Sequence, residues 1–425
     1  MGSMNSDPMH HRRRPLHESI PPLILGTATF NTQYVHNPFN QEELPSLSIV
    51  SRALELGVNA FDTSPYYGPS EIILGSALSH PSITKKHPRS SYFLVTKAGR
   101  IAGDVFDYSP AWIRYSIYRS LDRLHTPYLD LVYTHDVEFV SPAEVLAAVR
   151  ELRRLRDEGV IRHVGISGYP VERLCELAEM VLRETGEPLD AVLSYGHFTI
   201  QNTTLGSSAM RRFTNAGVDV VLNASMLGMG LLTTRGVDRG PMATWHPSPE
   251  GLRQACQDLV PVAVEAGEKL EVVAIRWSLD NWARTGAPKG GFPRQLPKVR
   301  VGVSVMGVSS VAELEETYRV FNSVVEGFAP EDGEDAELAR RREWSVNRAE
   351  KIQGVVENMW AVLGHWKNYS WNSPEPDFVN VRKATEMGAI PDDDISARYG
   401  LRDKSRQKED EGVDVKITVL PALSI

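Results

Sequence analysis

Amphipathic helices alternate with short apolar runs along the first three hundred or so residues of the chain. Three segments share the order helix, glycine, β-branched run: "IVSRALELGVNAFD", "ELRRLRDEGVIRHVGIS" and "RRFTNAGVDVVLNAS". Their glycines, Gly57, Gly159 and Gly217, stand where a helix C-cap needs a left-handed residue, and the runs after them are typical of buried strands. "SPAE" at 141–144 adds an N-cap, a first-turn proline and a capping-box acid. The repeating unit is a helix followed by a strand.

Counting the apolar runs predicts the fold class. The runs are "LILGTA" near 23–28, "VNAFD" to 62, "YFLVTK" to 97, "LDLVYTH" to 135, "HVGIS" to 167, "DAVLSY" to 195, "VDVVLN" to 223 and "VGVSVMG" to 307. They are rich in Val, Ile and Leu without clean alternation, which indicates a parallel sheet covered on both sides. Eight such units over roughly 300 residues predict an α/β chain with a (β/α)₈ TIM barrel.

The segments outside these units define the expected domains. We expect the barrel at 20–325, a C-terminal helical extension at 326–368 and a polar, partly disordered tail at 369–425. Residues 1–19 begin with "MGSM", which resembles a cloning remnant, and continue as a flexible basic arm. The connection before the last strand contains a helix pair and "RTGAPKGGFPRQLPK", and loops of that length on a barrel often serve as lids.

Composition narrows the class of partner. The 425 residues carry a formal net charge of −8, two cysteines and no basic stripe beyond the arm, so nucleic acid, a disulfide framework and a cysteine metal site are not expected. Neither a run of eighteen apolar residues nor a secretory signal is present, so we expect a cytoplasmic protein without a membrane partner. The predicted partner is a small molecule, no metal is expected, and the chain is expected to be a monomer or a homodimer.

Polar residues follow several predicted strands. Asp62, Lys97, His135 and Ser167 stand at the ends of strands two to five, and in a (β/α)₈ barrel such residues converge at one mouth. Singly, each has an ordinary interpretation as a helix cap, a solvated strand end or a core residue. Together with a nearby tyrosine they indicate a proton-transfer site, because a lysine ammonium favours a phenolate, an aspartate holds the lysine, and a histidine orients the substrate oxygen.

Four motifs resemble those of the aldo-keto reductases, (β/α)₈-barrel nicotinamide oxidoreductases: "FDTSPYYG", "LVTKAG", "LVYTHD" and "VGISG", within about residues 20–320. The resemblance implies a catalytic tetrad of Asp62, Tyr67, Lys97 and His135. Tyr67 is implied because it stands five residues after Asp62 and directly before a glycine, which leaves Tyr66 as a pocket wall or a packing residue.

Longer phrases, including "TSPYYGPSEIILGSAL" and "DEGVIRHVGISGYPVE", resemble the branch of fungal NAD-dependent D-arabinose 1-dehydrogenases and plant L-galactose dehydrogenases. The branch implies oxidation of a cyclic aldose at its anomeric carbon to an aldonolactone. Two alternatives stay open: an NAD(P)H-dependent aldehyde or ketone reductase of secondary metabolism, and a nicotinamide-binding regulatory subunit. An intact tetrad favours turnover over binding alone.

The resemblance also implies where the cofactor binds. Ser167 corresponds to the residue that holds the carboxamide, Ser194 more weakly so, and Ala224 replaces a stacking tyrosine whose space Met226 could fill. Gly307 and Glu313 stand where NADP-preferring members carry cations, so we expect NAD rather than NADP. The alternatives are that Glu313 simply faces solvent, or that Lys289, Arg294, Lys298 and Arg300 supply a phosphate site.

The remaining expected contacts complete the predicted site. Further cofactor contacts are expected from Gly26, Thr27, Ser225, Leu227, Ser309, Glu316 and Thr317. Substrate contacts are expected from Phe30, Tyr34, Tyr66, Asp136 and His197, because aromatic walls with a few polar groups suit a sugar ring.

Overall fold

Eight parallel strands close into a barrel in a computed structural model that describes residues 14–239, 241–330 and 335–402. The strands are β1 (Leu23–Gly26), β2 (Ala60–Asp62), β3 (Phe93–Ala98), β4 (Leu129–His135), β5 (Ile161–Gly168), β6 (Ala191–Tyr195), β7 (Val220–Ala224) and β8 (Val303–Gly307). Each strand pairs with its sequence neighbour, and β8 closes on β1. The predicted (β/α)₈ TIM barrel is confirmed, and the strands end within two residues of the predicted positions.

Helices surround the barrel and follow the strands in order. They are α1 (Ser46–Leu56), α2 (Ser70–Ser79), α3 (Pro81–Thr84), α4 (Pro110–Arg123), α5 (Pro142–Asp157), α6 (Val171–Thr185), α7 (Ser208–Asn215), α8 (Glu250–Gln257), α9 (Leu259–Glu265), α10 (Leu270–Thr285), α11 (Val311–Glu326), α12 (Ala336–Leu363) and α13 (Asp394–Arg398). The predicted capping box forms between Ser141 and Glu144, and Gly57, Gly159 and Gly217 all have positive φ. No helix of the described ranges is long and apolar enough to cross a membrane.

Alternation along the strands decides which side chains reach the barrel interior. Residues such as Phe93, Val95, Leu131 and Tyr133 fill the centre, so the barrel is a packed core. The last inward-facing residue of every strand lies at the carboxyl-terminal mouth. These eight residues are Gly26, Asp62, Lys97, His135, Ser167, Tyr195, Ala224 and Gly307.

The opposite end of the barrel is closed by residues just before β1. Leu16, in a 3₁₀ turn over Leu16–Glu18, and Ile20 are buried with the barrel-interior side chains, and His17 Nδ1 lies 2.6 Å from Asp219 Oδ1. The expectation of a flexible arm is therefore wrong for residues 16–19, because the Leu16 side chain packs into the end of the barrel opposite the mouth. Residues 1–13 of the predicted arm lie outside the described residues.

The long connection between β7 and β8 reaches both ends of the barrel. Residues 225–227, 229–230, 242, 245 and 247 follow β7 and line the mouth, whereas the Gly/Pro-rich stretch leads into the start of β8. There Gly291 bridges Val301, and a Cβ on Gly291 would lie 2.6 Å from the Ile20 carbonyl oxygen, just before β1. The Gly/Pro-rich stretch thus lies at the end of the barrel opposite the mouth, so it cannot be a lid over the mouth.

The helix expected near 335–364 is α12, and it packs on the barrel helices. Arg276 of α10 pairs with Asp280 at 2.5 Å and donates to the Ser345 carbonyl and hydroxyl oxygens of α12 at 2.9 Å. Trp277 Nε1 donates to Gln353 Oε1 at 2.9 Å. These contacts fix the position from which the last part of the described chain departs.

Residues 368–402, which we call the C-terminal strap, run from the β6–α7 loop across the mouth to α4. The Asn368 amide donates to the Gln201 carbonyl, Asn380 bonds both backbone groups of Phe106, and the Tyr399 ring stacks on Tyr118 with centroids 4.4 Å apart. Part of the segment expected to be a disordered tail therefore packs against the barrel. Residues 403–425 lie outside the described residues.

Candidate active site

A cavity of about 690 Å³ opens at the carboxyl-terminal mouth of the barrel. Its floor consists of the eight strand-end residues, and its walls come from the loops after β1, β2, β3, β4 and β7, from α11 and from the C-terminal strap. Such a mouth is where barrels gather reactive groups. The chemistry of the cavity depends on which of these groups contact one another.

A buried ion pair lies at the centre of the floor. The Lys97 ammonium lies 2.6 Å from Asp62 Oδ1 and donates to the Thr63 carbonyl at 3.0 Å, and both charged side chains are almost fully buried. Burial works to lower the pKa of Lys97, but the charges of Asp62 and Tyr67 outweigh it and hold the pKa above its ordinary value. The lysine is therefore charged at neutral pH and aimed by the aspartate.

Tyr67 stands above this pair. The Lys97 ammonium lies 4.8 Å from the centroid of the Tyr67 ring. Burial raises the pKa of the Tyr67 phenol to about 12, and Lys97 opposes that rise through its charge and a hydrogen bond. Lys97 therefore lowers the pKa of the phenol, as expected, but burial has the larger effect and raises it.

His135 is buried between two polar neighbours. Its Nδ1 lies 3.0 Å from Ser64 Oγ and its Nε2 lies 3.5 Å from Asp136 Oδ2. Burial lowers the pKa of His135 to about 3, and Lys97 and Arg100 act in the same direction against the pull of Asp136. The imidazole is consequently neutral at physiological pH and can act as a hydrogen-bond donor to a substrate oxygen.

Arg100, in the loop after β3, joins two of the predicted substrate residues. Its guanidinium pairs with Asp136 and lies 3.9 Å from the centroid of the Tyr66 ring. The pKa of Asp136 is lowered, because His135 and Arg100 outweigh the effect of burial. The pocket therefore presents a buried, ionised carboxylate and an aromatic face beside the tetrad.

The outer walls are aromatic and come from distant parts of the chain. Tyr34 contacts the edge of Trp245 with ring centroids 5.6 Å apart. In the C-terminal strap, Trp371 stacks on Tyr169 at 4.5 Å, and Phe378 packs against the ring of Phe139 at 4.9 Å. The strap thus contributes a wall of the pocket.

A buried carboxyl group anchors the strap. Glu138 Oε1 accepts hydrogen bonds from the Tyr169 amide and the Ser373 hydroxyl, both at 3.0 Å. Burial, followed by the nearby charge of Asp136, raises the pKa of Glu138 to about 8. The anchor is therefore a protonated carboxylic acid at neutral pH.

The loop after β7 forms the opposite wall with an unusual backbone. Ser225, Gly228, Met229 and Gly230 all have φ between 54° and 102°, and Ser225, Met226, Leu227, Met229 and Gly230 line the cavity. Successive residues that mix left- and right-handed conformations form concavities in which backbone N–H groups bind anions. In this loop the Gly228 and Gly230 amides already donate to the Ser225 and Leu227 carbonyls.

The N-terminus of α11 lies near the same wall. Ser310 caps the helix by accepting from the Glu313 amide, while the Glu313 carboxylate accepts from the Ser309 amide at 2.7 Å and the Ser309 hydroxyl at 3.0 Å. The side chain of Glu313 is thus engaged at the helix start, and its negative charge occupies the positive end of the helix dipole.

Most of the predicted site residues meet in this cavity. Those that line it are Gly26, Tyr34, Asp62, Tyr66, Tyr67, Lys97, His135, Asp136, Ser167, Ser225, Leu227, Gly307 and Thr317. Ala224 and Met226 also line it, so the space of the missing tyrosine is bordered by a methyl group and a thioether.

Several predicted contacts are corrected by the structure. Ser194 faces the surrounding helices, because the inward positions of β6 are Leu193 and Tyr195. Phe30 is fully buried in the core, and His197 is held by the Tyr195 carbonyl and the Ser370 hydroxyl, away from the cavity.

Four further predicted residues also lie outside the lining: Thr27, Ser309, Glu313 and Glu316. The Thr27 hydroxyl donates to the Asp62 carbonyl at 3.0 Å and contacts the Ser70 hydroxyl. Thr27 therefore holds the backbone of Asp62 in place and does not face the cavity. Ser309 is paired with Glu313, and Glu316 is exposed on α11.

The cations considered for a phosphate site lie at the wrong end. Lys289, Arg294, Lys298 and Arg300 belong to the stretch before β8, where Arg300 donates to the Gly290 carbonyl at 2.9 Å. This stretch packs beside the start of β1. A cofactor bound at the mouth would be a barrel's length away.

Sequence reasoning missed Arg100, Tyr195, Trp245, Trp371 and Phe378. Tyr195 could have been found from the alternation of β6, since Ala191 and Leu193 face inward. The strap aromatics have no periodic pattern that would assign them to the pocket, because "YSWNSPEPDF" is an irregular polar segment.

Comparison with known proteins agrees with this geometry. The sequence profile of the Aldo/keto reductase family matches residues 22–326. The chain is 38% identical to D-arabinose 1-dehydrogenase of Saccharomyces cerevisiae over 328 residues, which is 76% of this chain and 90% of that protein. It is 34% identical to L-galactose dehydrogenase of Arabidopsis thaliana over 278 residues, 64% of this chain and 79% of that protein. Among solved structures, glycerol dehydrogenase of Gluconobacter oxydans matches with a TM-score of 0.54 at 21% identity, covering 86% of this chain and 98% of that one, which bears on the fold alone.

Proposed function

The chain belongs to the aldo/keto reductase family, and we propose that it oxidises a cyclic aldose of the D-arabinose or L-galactose type to the aldonolactone with NAD⁺. The observation that carries the proposal is the Tyr67 phenol buried beside the Lys97–Asp62 pair, with a neutral His135 across the same pocket. The names of the two dehydrogenase relatives support the substrate class.

The proposed chemistry divides the work among the tetrad. When bound, the nicotinamide accepts the hydride that leaves the anomeric carbon. Tyr67 acts in its phenolate form, which the charge of Lys97 stabilises against the effect of burial. The phenolate takes the proton of the anomeric hydroxyl as the carbonyl forms and becomes a neutral phenol. His135 donates a hydrogen bond to the same oxygen and orients it. Asp62 keeps the lysine charged and fixed.

The substrate's remaining hydroxyls have suitable partners near the tetrad. Asp136 is a buried acceptor whose charge Arg100 balances, and Tyr66 offers an aromatic face on which the guanidinium already lies. Carboxylates accept hydrogen bonds from sugar hydroxyls, and apolar ring faces stack on aromatic side chains. We propose that Asp136, Tyr34 and Tyr66 contact the sugar.

The residues present fit a dinucleotide along the wall from Gly307 to the loop after β7. Ser167 lies inward at the end of β5, and Thr317 lines the cavity from α11. The loop at residues 225–230 borders the same wall, and we propose that the phosphates of the dinucleotide lie beside it. In sequence, Glu313 stands where NADP-preferring members of the family carry a cation, and its carboxylate would repel a 2′-phosphate, which supports our proposal of NAD⁺ over NADP⁺.

Two measurements test the proposal. A panel of free pentoses and hexoses with NAD⁺, read by absorbance of the reduced cofactor, should give turnover with at least one aldose. Tyr67→Phe should abolish turnover and keep cofactor binding, whereas Tyr128→Phe removes a phenol at the amino end of β4 and should change nothing. NADPH-dependent reduction of aldehydes without aldose oxidation would favour the reductase alternative. Cofactor binding without any turnover would favour a regulatory subunit.

Cofactor preference needs its own experiment. We expect kcat/KM for NAD⁺ to exceed that for NADP⁺, and Glu313→Gln to narrow the difference by removing one negative charge near the 2′ position. Glu315→Gln is the matched control, because that acid lies on the same helix but pairs with Arg52 at 2.7 Å. Preference for NADP⁺ in the wild type would refute the charge argument.

A further inference from the structure

Ser64, in the loop after β2, contacts the catalytic histidine from behind. The side chains of Ser64 and His135 are both buried, with Ser64 Oγ 3.0 Å from His135 Nδ1. A neutral imidazole carries a hydrogen on one nitrogen, and the partner of the other nitrogen decides which one. The direction of the hydrogen bond between Ser64 and Nδ1 therefore determines whether Nε2 of His135 presents a hydrogen or a lone pair to the pocket.

The surroundings of Ser64 fix that direction. Its oxygen already accepts a hydrogen bond from the Tyr66 amide at 3.1 Å. The hydroxyl hydrogen needs an acceptor, and within the described part of the chain the acceptor in reach is His135 Nδ1. A buried hydroxyl hydrogen without an acceptor is unfavourable, because it has lost its hydrogen bond to water. Ser64 therefore donates to Nδ1, and the imidazole hydrogen is on Nε2.

We propose that Ser64 is a positioning residue that holds His135 as the Nε2–H tautomer and aims this hydrogen at the substrate oxygen. Asp136 is compatible with the same tautomer, because its Oδ2, an acceptor, lies on the Nε2 side of the ring at 3.5 Å. At that distance it does not compete strongly with a substrate oxygen for the Nε2 hydrogen. Arg100 engages that carboxylate and limits its pull on the imidazole. His135 thus serves as a donor, and proton transfer is left to Tyr67.

This inference rests on the proposed function for its kinetic consequence. Ser64→Ala would leave Nδ1 without a partner and the ring free to turn, so we expect kcat/KM for the aldose to fall on the order of 10-fold, as misplacing a catalytic group does. The loss should be in kcat, because Ser64 does not line the cavity, and the affinity for NAD⁺ should stay unchanged. Ser120→Ala, which removes another fully buried hydroxyl from α4, is the matched control.

The tautomer can be read without turnover. In ¹⁵N-histidine-labelled protein, with the His135 signals assigned by their loss in His135→Asn, Nδ1 should show no attached hydrogen and Nε2 should carry one. In Ser64→Ala the Nδ1 signal should move to that of a nitrogen without a hydrogen-bond partner, while Ser120→Ala should match the wild type. A hydrogen on Nδ1 in the wild type would overturn the proposal, as would unchanged spectra and kcat in Ser64→Ala. If no aldose is oxidised, the spectra still decide the tautomer, so the two proposals fail separately.

Discussion

The buried pair of Lys97 and Asp62 makes the catalytic centre a place where stability depends on charge balance. We predict that Lys97→Met, which keeps the length of the side chain but removes its charge, strongly destabilises the protein at neutral pH. Asp62 would lose a partner 2.6 Å away while its own side chain stays 6% exposed. An ionised carboxylate would then be left almost without water or counter-charge.

The size of the effect follows from this geometry. Two unit charges 2.6 Å apart attract by about 6 kcal/mol at an effective dielectric constant of roughly 20. Part of this is regained when the carboxyl takes up a proton, so the expected loss in the free energy of unfolding is about 3–5 kcal/mol at pH 7. Burial already works to raise the pKa of Asp62, and without Lys97 nothing nearby opposes it.

The pH dependence has a definite sign. In Lys97→Met the folded-state pKa of Asp62 exceeds the unfolded value, so the folded state binds the proton more tightly. The destabilisation should therefore shrink as the pH is lowered toward about 4, the ordinary pKa of an aspartic acid. Urea unfolding followed by tryptophan fluorescence at several pH values measures this.

A double variant and a surface control complete the design. Asp62→Asn with Lys97→Met removes both charges and should recover most of the lost stability at pH 7. Lys351→Met breaks a pair with Glu268 in which the lysine is 54% exposed, and should change stability by no more than about 1 kcal/mol. Equal stability of the single and double variants at pH 7 would refute the reasoning, as would a destabilisation independent of pH.

Three further predictions concern the pocket wall, the barrel and acid stability. Trp371→Ala removes the ring stacked on Tyr169 and should raise KM for the sugar about tenfold while leaving the Kd of NAD⁺ unchanged; equal changes in both would contradict it. Gly165→Ala should destabilise the barrel severely in a thermal melt, because its Cβ would lie 2.5 Å from a backbone oxygen of β6, whereas Gly354→Ala on α12 meets nothing within 4 Å and should be neutral or stabilising. Near pH 5 the unfolding free energy should fall as the pH is lowered, since three buried histidines must take up protons on unfolding, and Glu138, which releases one, offsets only part of this. The histidines, with folded pKa values of about 3, 4 and 4, are His135, His197 and His246.

The barrel and its tetrad could be predicted from the sequence because both follow from local patterns. Apolar runs and glycine C-caps locate the strands, and strand ends converge in a closed parallel barrel whatever the loops do. Asp62, Lys97 and His135 are accordingly found together. The error at Ser194 arose because a motif position was preferred to the alternation that turns Tyr195 inward.

Other features depend on contacts distant in sequence. Nothing in the Gly/Pro-rich stretch before β8 indicates which end of the barrel it covers, and only its packing beside Ile20 decides this. Arg100 is one arginine in a loop until the fold brings it to Asp136. The strap was missed because the Glu138–Ser373 hydrogen bond joins residues more than two hundred positions apart.

The position of the strap has a consequence for how the protein is made. All eight strands and the whole tetrad have been synthesised by Gly307, yet the pocket acquires its wall of Trp371 to Phe378 only more than sixty residues later. A chain that stops early, or is cut between α11 and α12, would keep the reactive groups but leave them open to water on that side. Synthesis of the polar groups at the barrel mouth and synthesis of the wall that covers them are therefore separate events along the chain.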